Sequence, residues 1–292
     1  MIRNKNALFI GLGVMGYSMA GHLSKCTPTF IFNRTEKTAE KWLTNFSGQR
    51  LSKLDVIPPD IDIIITCIGN DEDLKEIYLS DSGLITNCNP GTLFIDHTTA
   101  SATIAREIYA KARSKQQGFI DAPVSGGEQG AKNGQLTAMC GGDISDYERA
   151  KDLISSYSKA VTDMGKSGSG QLTKMVNQVA IAGLLQGLAE SIHLAEQAGL
   201  NTMQVIDVIS KGAAQSWQME NRGKTMIKGE YNHGFAVDLM RKDLDICLTE
   251  ARKLGATLPV TALVDQFYSD VQKIGGNRWD TSSLLVRLHP KK

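Results

Sequence analysis

A chain of 292 residues, 41% hydrophobic and 22% charged, is long enough for two ordinary domains and has the balance of a soluble globular protein. A net charge of +1 argues against the basic footprint with which proteins bind nucleic acid or an anionic membrane surface. The five cysteines form no CxxC pair, and the five histidines keep no ligand spacing to them, so reduced thiols and no metal site are expected.

Residues 7–10 are an apolar run that reads as a first strand, and 15–24 read as a helix. Between Lys5, which follows Arg3, and Gly11 lie only four consecutive apolar residues. No signal-peptide core is present there, and a cytoplasmic location is expected. Residues 29–32 predict a second strand, with Thr35 as N-cap of a helix running through Asn45. The run 61–68 is nearly all β-branched, as a strand buried on both faces of a parallel sheet should be, and it is far too short to cross a bilayer. Residues 93–96, 119–121 and 136–140 continue the strands, with helices at 102–114 and 146–158. This alternation implies a doubly wound α/β domain.

After residue 165 the rhythm changes. Residues 171–198 contain no proline and carry apolar residues at helical spacing: Leu172, Met175, Val176, Val179, Leu184, Leu185, Leu188, Ile192 and Ala195. Gly199 stands where such a helix would stop. Further helices are predicted at 202–210 behind Asn201, at 237–254 before Gly255, and at 259–274 before Gly275. Strand signals nearly vanish. The expected organisation is a doubly wound α/β domain over 1–165 and an all-helical domain over 166–292, with GKSGSG at 165–170 as the boundary.

GLGVMG at 11–16 lies directly between the first strand and the first helix. In that setting Gly11 makes a tight turn, Gly13 lets backbone approach a pyrophosphate, and Gly16 permits close helix–strand packing. Exposed N–H groups and the helix dipole then favour a diphosphate, so Gly11, Leu12, Gly13, Val14, Met15 and Gly16 form a candidate loop of a Rossmann-type domain. The bland alternative is a set of glycines in an ordinary βα turn. About twenty residues on, where NAD enzymes carry an acidic residue for the ribose hydroxyls, the second strand ends in Asn33, Arg34 and Thr35. Arg34 can pair with a phosphate, which favours NADP(H) over NAD(H); the alternative is a solvated surface charge.

Two more segments stand out. In DAPVSGG at 121–127, Ser125, Gly126 and Gly127 follow a strand at the carboxyl edge of the sheet, where open α/β sheets bind ligands. They offer donors to a carboxylate, although such a segment alone is equally an ordinary turn. In GSGQLTKMVNQ at 168–178, helical spacing puts Lys174, Asn177 and Gln178 on one face. Taken alone, these three read more readily as a polar edge than as a catalytic group.

Together these pieces resemble the β-hydroxyacid dehydrogenase family, which includes 3-hydroxyisobutyrate dehydrogenase and reductases of succinic, tartronic and glyoxylic semialdehydes. The resemblance covers nearly the whole chain. It rests on GLGVMGYSMAGHL at 11–23, DAPVSGGEQGAKNGQL at 121–136, the 168–178 segment, and Lys242-Asp243-Leu244. It implies a Rossmann-type domain followed by an all-helical domain, NADP(H) or NAD(H) as cofactor, and a small carboxylate-bearing hydroxy acid or semialdehyde as substrate. Candidates of that kind are 3-hydroxyisobutyrate, 4-hydroxybutyrate and tartronate semialdehyde. By the same resemblance Lys174 is the catalytic lysine, and Ser125, Gly126 and Gly127 hold the substrate carboxylate. Asn177 and Gln178 orient the substrate, although some relatives carry Asn at the second place. Ile68, Gly69, Asp73 and Thr99 line the ribose and nicotinamide, and Lys242 approaches the cofactor from the helical domain. A homo-oligomer is implied by analogy.

Reducing an aldehyde requires an acid for the developing alkoxide. A partly buried ammonium, whose pKa falls with lost hydration, suits that task. Imine reductases share the fold and the cofactor loop but typically lack a lysine at position 174. A non-catalytic NADP-binding interaction protein would be expected to lose the lysine and gain basic extensions. A 6-phosphogluconate dehydrogenase would be much longer. Around the far end of the pocket, residues 211–217 and Phe235 are expected, with Trp217 and Phe235 either closing over substrate or serving as plain core.

Overall fold

The computed structural model describes residues 6–289; Arg3 and Lys5 lie outside that range. The chain divides into two compact units, Met1–Lys174 and Met175–Lys292. No helix among the described residues is long and apolar enough to cross a membrane.

The first unit runs β1 (Asn6–Ile10), α1 (Gly16–Leu23), β2 (Thr29–Phe32), α2 (Glu36–Asn45), β3 (Gln49–Arg50), β4 (Ile61–Thr66), α3 (Asp71–Leu79), α4 (Leu84–Asn87), β5 (Leu93–Asp96), α5 (Ala102–Ser114), β6 (Gly118–Asp121), β7 (Val124–Ser125), α6 (Gly127–Lys132), β8 (Leu136–Gly142), α7 (Ile144–Ile154) and β9 (Ser158–Asp163). The sheet order is β3-β2-β1-β4-β5-β6-β8-β7, with β9 on β8. Strands β3 to β6 along this path are parallel; β8 then pairs antiparallel to β6 and β7, and parallel to β9. This is a doubly wound sheet whose strand order reverses between β1 and β4.

Period-two alternation makes the inner strands apolar on both sides. Ala7, Phe9, Ile63, Ile65, Leu93, Ile95 and Ile120 pack with Met19, Trp42 and Leu153 on one face. Leu8, Ile10, Ile64, Phe94 and Phe119 pack with Leu74, Tyr78, Ile104 and Ile108 on the other. Each fully buried side chain of this size contributes about 1.5–3 kcal/mol. Register then brings Ile10 level with Thr66, Thr66 with Asp96, and Asp96 with Asp121. Whatever follows these strand ends emerges along one edge.

Two sequence expectations are corrected here, and a third, Thr35 as N-cap of a helix through Asn45, holds in position. The fourth strand stops at Thr66, so Cys67 and Ile68 leave the sheet for the loop edge. The helix expected to reach residue 158 ends at Ile154, and Ser158 opens β9, a half-exposed strand too polar to announce itself by alternation. Thr35 stands at the N-cap of α2, but its side chain makes no capping bond.

Helix α8 (Ser169–Gln197) contains the division between the units, and the second unit continues with α9 (Thr202–Ile209), α10 (Trp217–Ile227), α11 (Val237–Leu254), α12 (Pro259–Lys273) and a 3-10 helix, Thr281–Leu288. Among the described residues this unit has no strand, only an isolated bridge between Ala236 and Asp280. Asn201 Oδ1 accepts from the Gln204 N–H at 3.1 Å, and Gly199 and Gly255 end their helices with φ of 69° and 70°, as helix-stop glycines do. Leu185, Leu188, Ile192, Met240, Leu244, Tyr268 and Leu284 form the core. Val176 and Leu184, counted with the apolar stripe from spacing, are instead 70% and 47% exposed. Helix α10 escaped the sequence reading because Gly223 interrupts a good helical pattern; a Cβ there would press Ile206 of α9 at 3.0 Å.

Gly11 has φ of 96°, and a side chain on it would strike the Cys67 carbonyl oxygen, whereas nothing lies within 4 Å of a Cβ added at Gly13. Gly11→Ala is therefore expected to cost about 2 kcal/mol or more, and Gly13→Ala to leave stability unchanged. Thermal and urea unfolding of the two variants checks this; equal losses would show that the loop is not braced by β4.

Candidate functional site

The loop after β1 is fixed by backbone. The Gly11 N–H donates to Phe32 O at 3.0 Å, and the Cys67 N–H donates to Ile10 O at 2.9 Å. Leu12 is buried in the core while Val14 is 56% exposed, so the loop is anchored on one side and open on the other. Met15 packs partly against the core, and α1 opens there without a side-chain cap. A Cβ on Gly16 would strike the Gly11 carbonyl. The open first turn and the bare Cα of Gly13 leave a cradle that suits a diphosphate.

At the end of β2, Asn33 Oδ1 accepts from the Leu12 N–H at 2.8 Å, and its Nδ2 donates to Thr35 O at 3.0 Å. The amide oxygen braces the glycine loop and the amide nitrogen holds the turn into α2, a role that sequence reading did not foresee. Arg34 reaches Asp73 at 3.2 Å with its side chain 81% exposed. Asp73 lies in the first turn of α3, where its N–H donates to Asn70 Oδ1 at 2.9 Å. A side chain on Gly69 would strike the Asp73 carboxylate. The Ile68 N–H donates to Thr98 Oγ1 at 3.0 Å, next to half-buried Thr99. Residues 11–16, Asn33, Arg34, Ile68, Gly69, Asp73 and Thr99 thus follow the ends of β1, β2, β4 and β5.

Behind this edge lies a buried polar layer. Thr66 Oγ1 donates to Asp96 Oδ1 at 2.7 Å and lies 2.9 Å from the Tyr78 hydroxyl. His97 Nδ1 is 2.6 Å from Ala122 O, and its Nε2 is 2.8 Å from the Tyr157 hydroxyl. Burial lowers the His97 pKa to about 4 and raises that of Tyr157. The neutral ring therefore donates from Nδ1 to the carbonyl and accepts at Nε2 from the phenol. Among the described contacts, it holds the turn between β6 and β7 in place.

The DAPVSGG segment and the start of α8 are tied by two side chains. Asp121, at the buried end of β6, accepts from the Gly168 N–H at 2.6 Å and the Gln171 N–H at 3.0 Å. Gln171 is fully buried; its Nε2 donates to Thr98 O at 2.7 Å, and its Oε1 accepts from the Ala100 N–H at 3.1 Å. One turn on, Lys174 is 8% exposed and its Nζ donates to Val124 O at 2.9 Å. Val124 immediately precedes Ser125, Gly126 and Gly127, the two glycines having φ of 132° and 62°. Lysine and serine–glycine turn are thus neighbours. The signal for Asp121 was present in the sequence: a carboxylate closing the buried run GFID must find donors.

Asn177, Gln178 and Lys242 belong to a network in the second unit. Asn177 Nδ2 donates to Gln178 Oε1 at 2.8 Å, and Gln178 Nε2 donates to Asp243 Oδ2 at 2.7 Å. Lys242 Nζ lies 3.3 Å from the other Asp243 oxygen. Gln178 is 2% exposed and is held by its neighbours, while Asn177 is half-buried. Phe235 packs partly buried against the helical core. Trp217 is 49% exposed beneath the Arg222 guanidinium, 5.1 Å from its ring.

A family model described as the NAD binding domain of 6-phosphogluconate dehydrogenase matches residues 6–165. A second, described as NAD-binding of NADP-dependent 3-hydroxyisobutyrate dehydrogenase, matches 168–288. An uncharacterized oxidoreductase of Shewanella frigidimarina is 54% identical, over 97% of this chain and 98% of its own length. The 2-hydroxy-3-oxopropionate reductase of Escherichia coli is 30% identical, over 96% of each chain. Among solved structures, the 3-hydroxyisobutyrate dehydrogenase of Mycobacterium tuberculosis with L-serine is 27% identical, with a TM-score of 0.87 over 98% of this chain and 99% of that one.

Burial pushes the Asp121 carboxyl up to about 7, against the pull of the Gly168 and Gln171 N–H groups. Between the ordinary carboxylate value and 7 the folded chain then holds a proton that the unfolded chain lacks, so this group stabilises the fold as pH falls. Asp121→Asn is expected to lower stability by about 1–3 kcal/mol, because one N–H loses its acceptor. The gap from the parent should widen as pH drops from 7 to about 4, by up to about 1.4 kcal/mol per unit. Urea unfolding across that range checks it; a narrowing gap would mean that Asp121 stays ionised.

Proposed function

Because the chain belongs to the β-hydroxyacid dehydrogenase family and is an NAD(P)-dependent hydroxyacid dehydrogenase, we propose that it moves hydride between NADP(H) and a small 3-hydroxy acid or its semialdehyde. Lys174 is the proton donor in this reading. The observation that carries it is the burial of Lys174 with its Nζ on the Val124 carbonyl, beside Ser125, Gly126 and Gly127. An ammonium so placed, with little water around it, can protonate an alkoxide formed above the serine–glycine turn and stabilise its charge beforehand. In the reverse direction the neutral amine takes the hydroxyl proton. Ser125 and the two glycine N–H groups hold the substrate carboxylate, Asn177 orients the reacting oxygen, and Gln178 fixes Asn177.

The bound nicotinamide supplies or accepts the hydride. The cradle of residues 11–16 fits its diphosphate, with the uncapped start of α1 and the open space at Gly13. Ile68, Gly69, Asp73 and Thr99 are assigned to the ribose and nicotinamide, and Lys242 to the cofactor's other side. Thr35 adjoins the ribose end. NADP(H) is favoured because Asn33 is committed to the loop and offers no carboxylate for ribose hydroxyls. Among the described residues Arg34 is held by an ion pair in which its own side chain is exposed, worth about 0–1 kcal/mol, and it can turn to a 2′-phosphate at little cost. The exposed Val176, Leu184 and Leu194 on α8 support association into a homo-oligomer, which light scattering checks. The remaining assignments are a cytoplasmic location and a domain boundary at residues 165–170.

Oxidation of NADPH and NADH is to be followed against succinic, methylmalonic, tartronic and glyoxylic semialdehydes. Turnover with NADPH on one of them is expected. Lys174→Ala should lower kcat by roughly 100- to 10,000-fold with cofactor binding kept; a variant within a few-fold of the parent removes the lysine from the mechanism. Arg34→Ala should weaken NADPH about tenfold or more and leave NADH unchanged. A parent enzyme that prefers NADH overturns the cofactor assignment.

A further inference from the structure

The last turns of α8 carry His193 and Glu196, three residues apart and therefore on one face of the helix. The fold returns to this place 93 residues later, where His289 follows the 3-10 helix and brings its Nε2 to 2.6 Å from Glu196 Oε2. His193 Nδ1 lies 3.9 Å from the same oxygen. One ligating atom from each of the three side chains falls within 4.8 Å of the others. The rings are 5.6 Å apart and inclined at 55°, so they do not stack.

Two further observations ask for a cation here. Among the described residues His193 Nδ1 is buried without a hydrogen-bond partner, which is costly for an imidazole nitrogen unless something else binds it. Helix α8 is 29 residues long and carries no basic side chain in its own last turn, which leaves its negative end favourable to a cation. A metal ion answers both.

We propose that His193, Glu196 and His289 bind a divalent transition-metal ion of the zinc, cobalt or nickel kind. Two imidazoles and one carboxylate select these ions over magnesium and calcium, which take all-oxygen shells. Metal–ligand bonds of about 2.0–2.2 Å set the three ligating atoms roughly 3.3 Å apart. The Glu196–His289 contact must open and His193 must swing inward, each by a fraction of an ångström to about one ångström, which side-chain rotation supplies. Water completes the shell at partly exposed His289. The ion clips the segment after the 3-10 helix onto α8 and stabilises the fold by mass action. It takes no part in hydride transfer.

The test uses the full-length, tag-free, metal-stripped chain titrated with Co2+ and Zn2+ by visible absorption and calorimetry, with Mg2+ and Ca2+ in parallel. One equivalent of Co2+ or Zn2+ should bind and raise Tm, with no response to the other two ions. His193→Ala and His289→Ala should each weaken binding by roughly tenfold or more, with semialdehyde turnover unchanged. His289→Gln keeps a donor for Glu196 but removes the ligand nitrogen. It should therefore match the parent in Tm without metal and lose the metal-dependent rise. No binding by the parent, or equal binding by the three variants, overturns the site.

Discussion

A carboxylate at the end of a buried strand has to be answered by donors, and in this chain the answer organises the chemistry. Asp121 closes β6 and takes the N–H groups of Gly168 and Gln171, so the start of α8 is fixed against the sheet. Gln171 then locks the same turn to Thr98 and Ala100. Lys174 comes one turn later, where its ammonium meets the Val124 carbonyl. The lysine is therefore placed by groups that sequence motifs treat as separate, the DAPVSGG segment and the GSGQ segment.

The same economy recurs along the edge where β1, β4, β5 and β6 end. Parallel register puts Ile10, Thr66, Asp96 and Asp121 level, and each is followed by a residue that leaves the sheet with a task. Gly11 turns tightly, Cys67 shields it, His97 bridges to Ala122, and Ala122 leads into the serine–glycine turn. Neutral His97 suits this position, because a charge there would sit unpaired between two hydrophobic layers.

How much of this could be read from the chain alone depends on the range of the interaction. Strand cores such as LFID at 93–96, the Asn201 cap and the glycine stops at 199 and 255 are local, and they appear in the sequence as they appear in the fold. The glycine loop, Lys174 and the 125–127 turn were visible as motifs. What stayed hidden was decided across long separations. Asn33 serves Leu12 through 21 residues of chain, Asp121 serves Gln171 through 50, and Glu196 meets His289 through 93. Periodicity gives the apolar stripe of α8 its width but not which flank its own unit covers, and Val176 is 70% exposed.

The bond from Lys174 to Val124 ends on a main-chain oxygen, and main-chain atoms are present whatever the side chain at that position. On the proposed reading, in which Lys174 handles the proton and residues 125–127 hold the acid, side chains at Val124 and Ser125 can change without cutting this tether, while the left-handed Gly126 and Gly127 stay glycine. What such an enzyme accepts can then diverge while its lysine keeps its place.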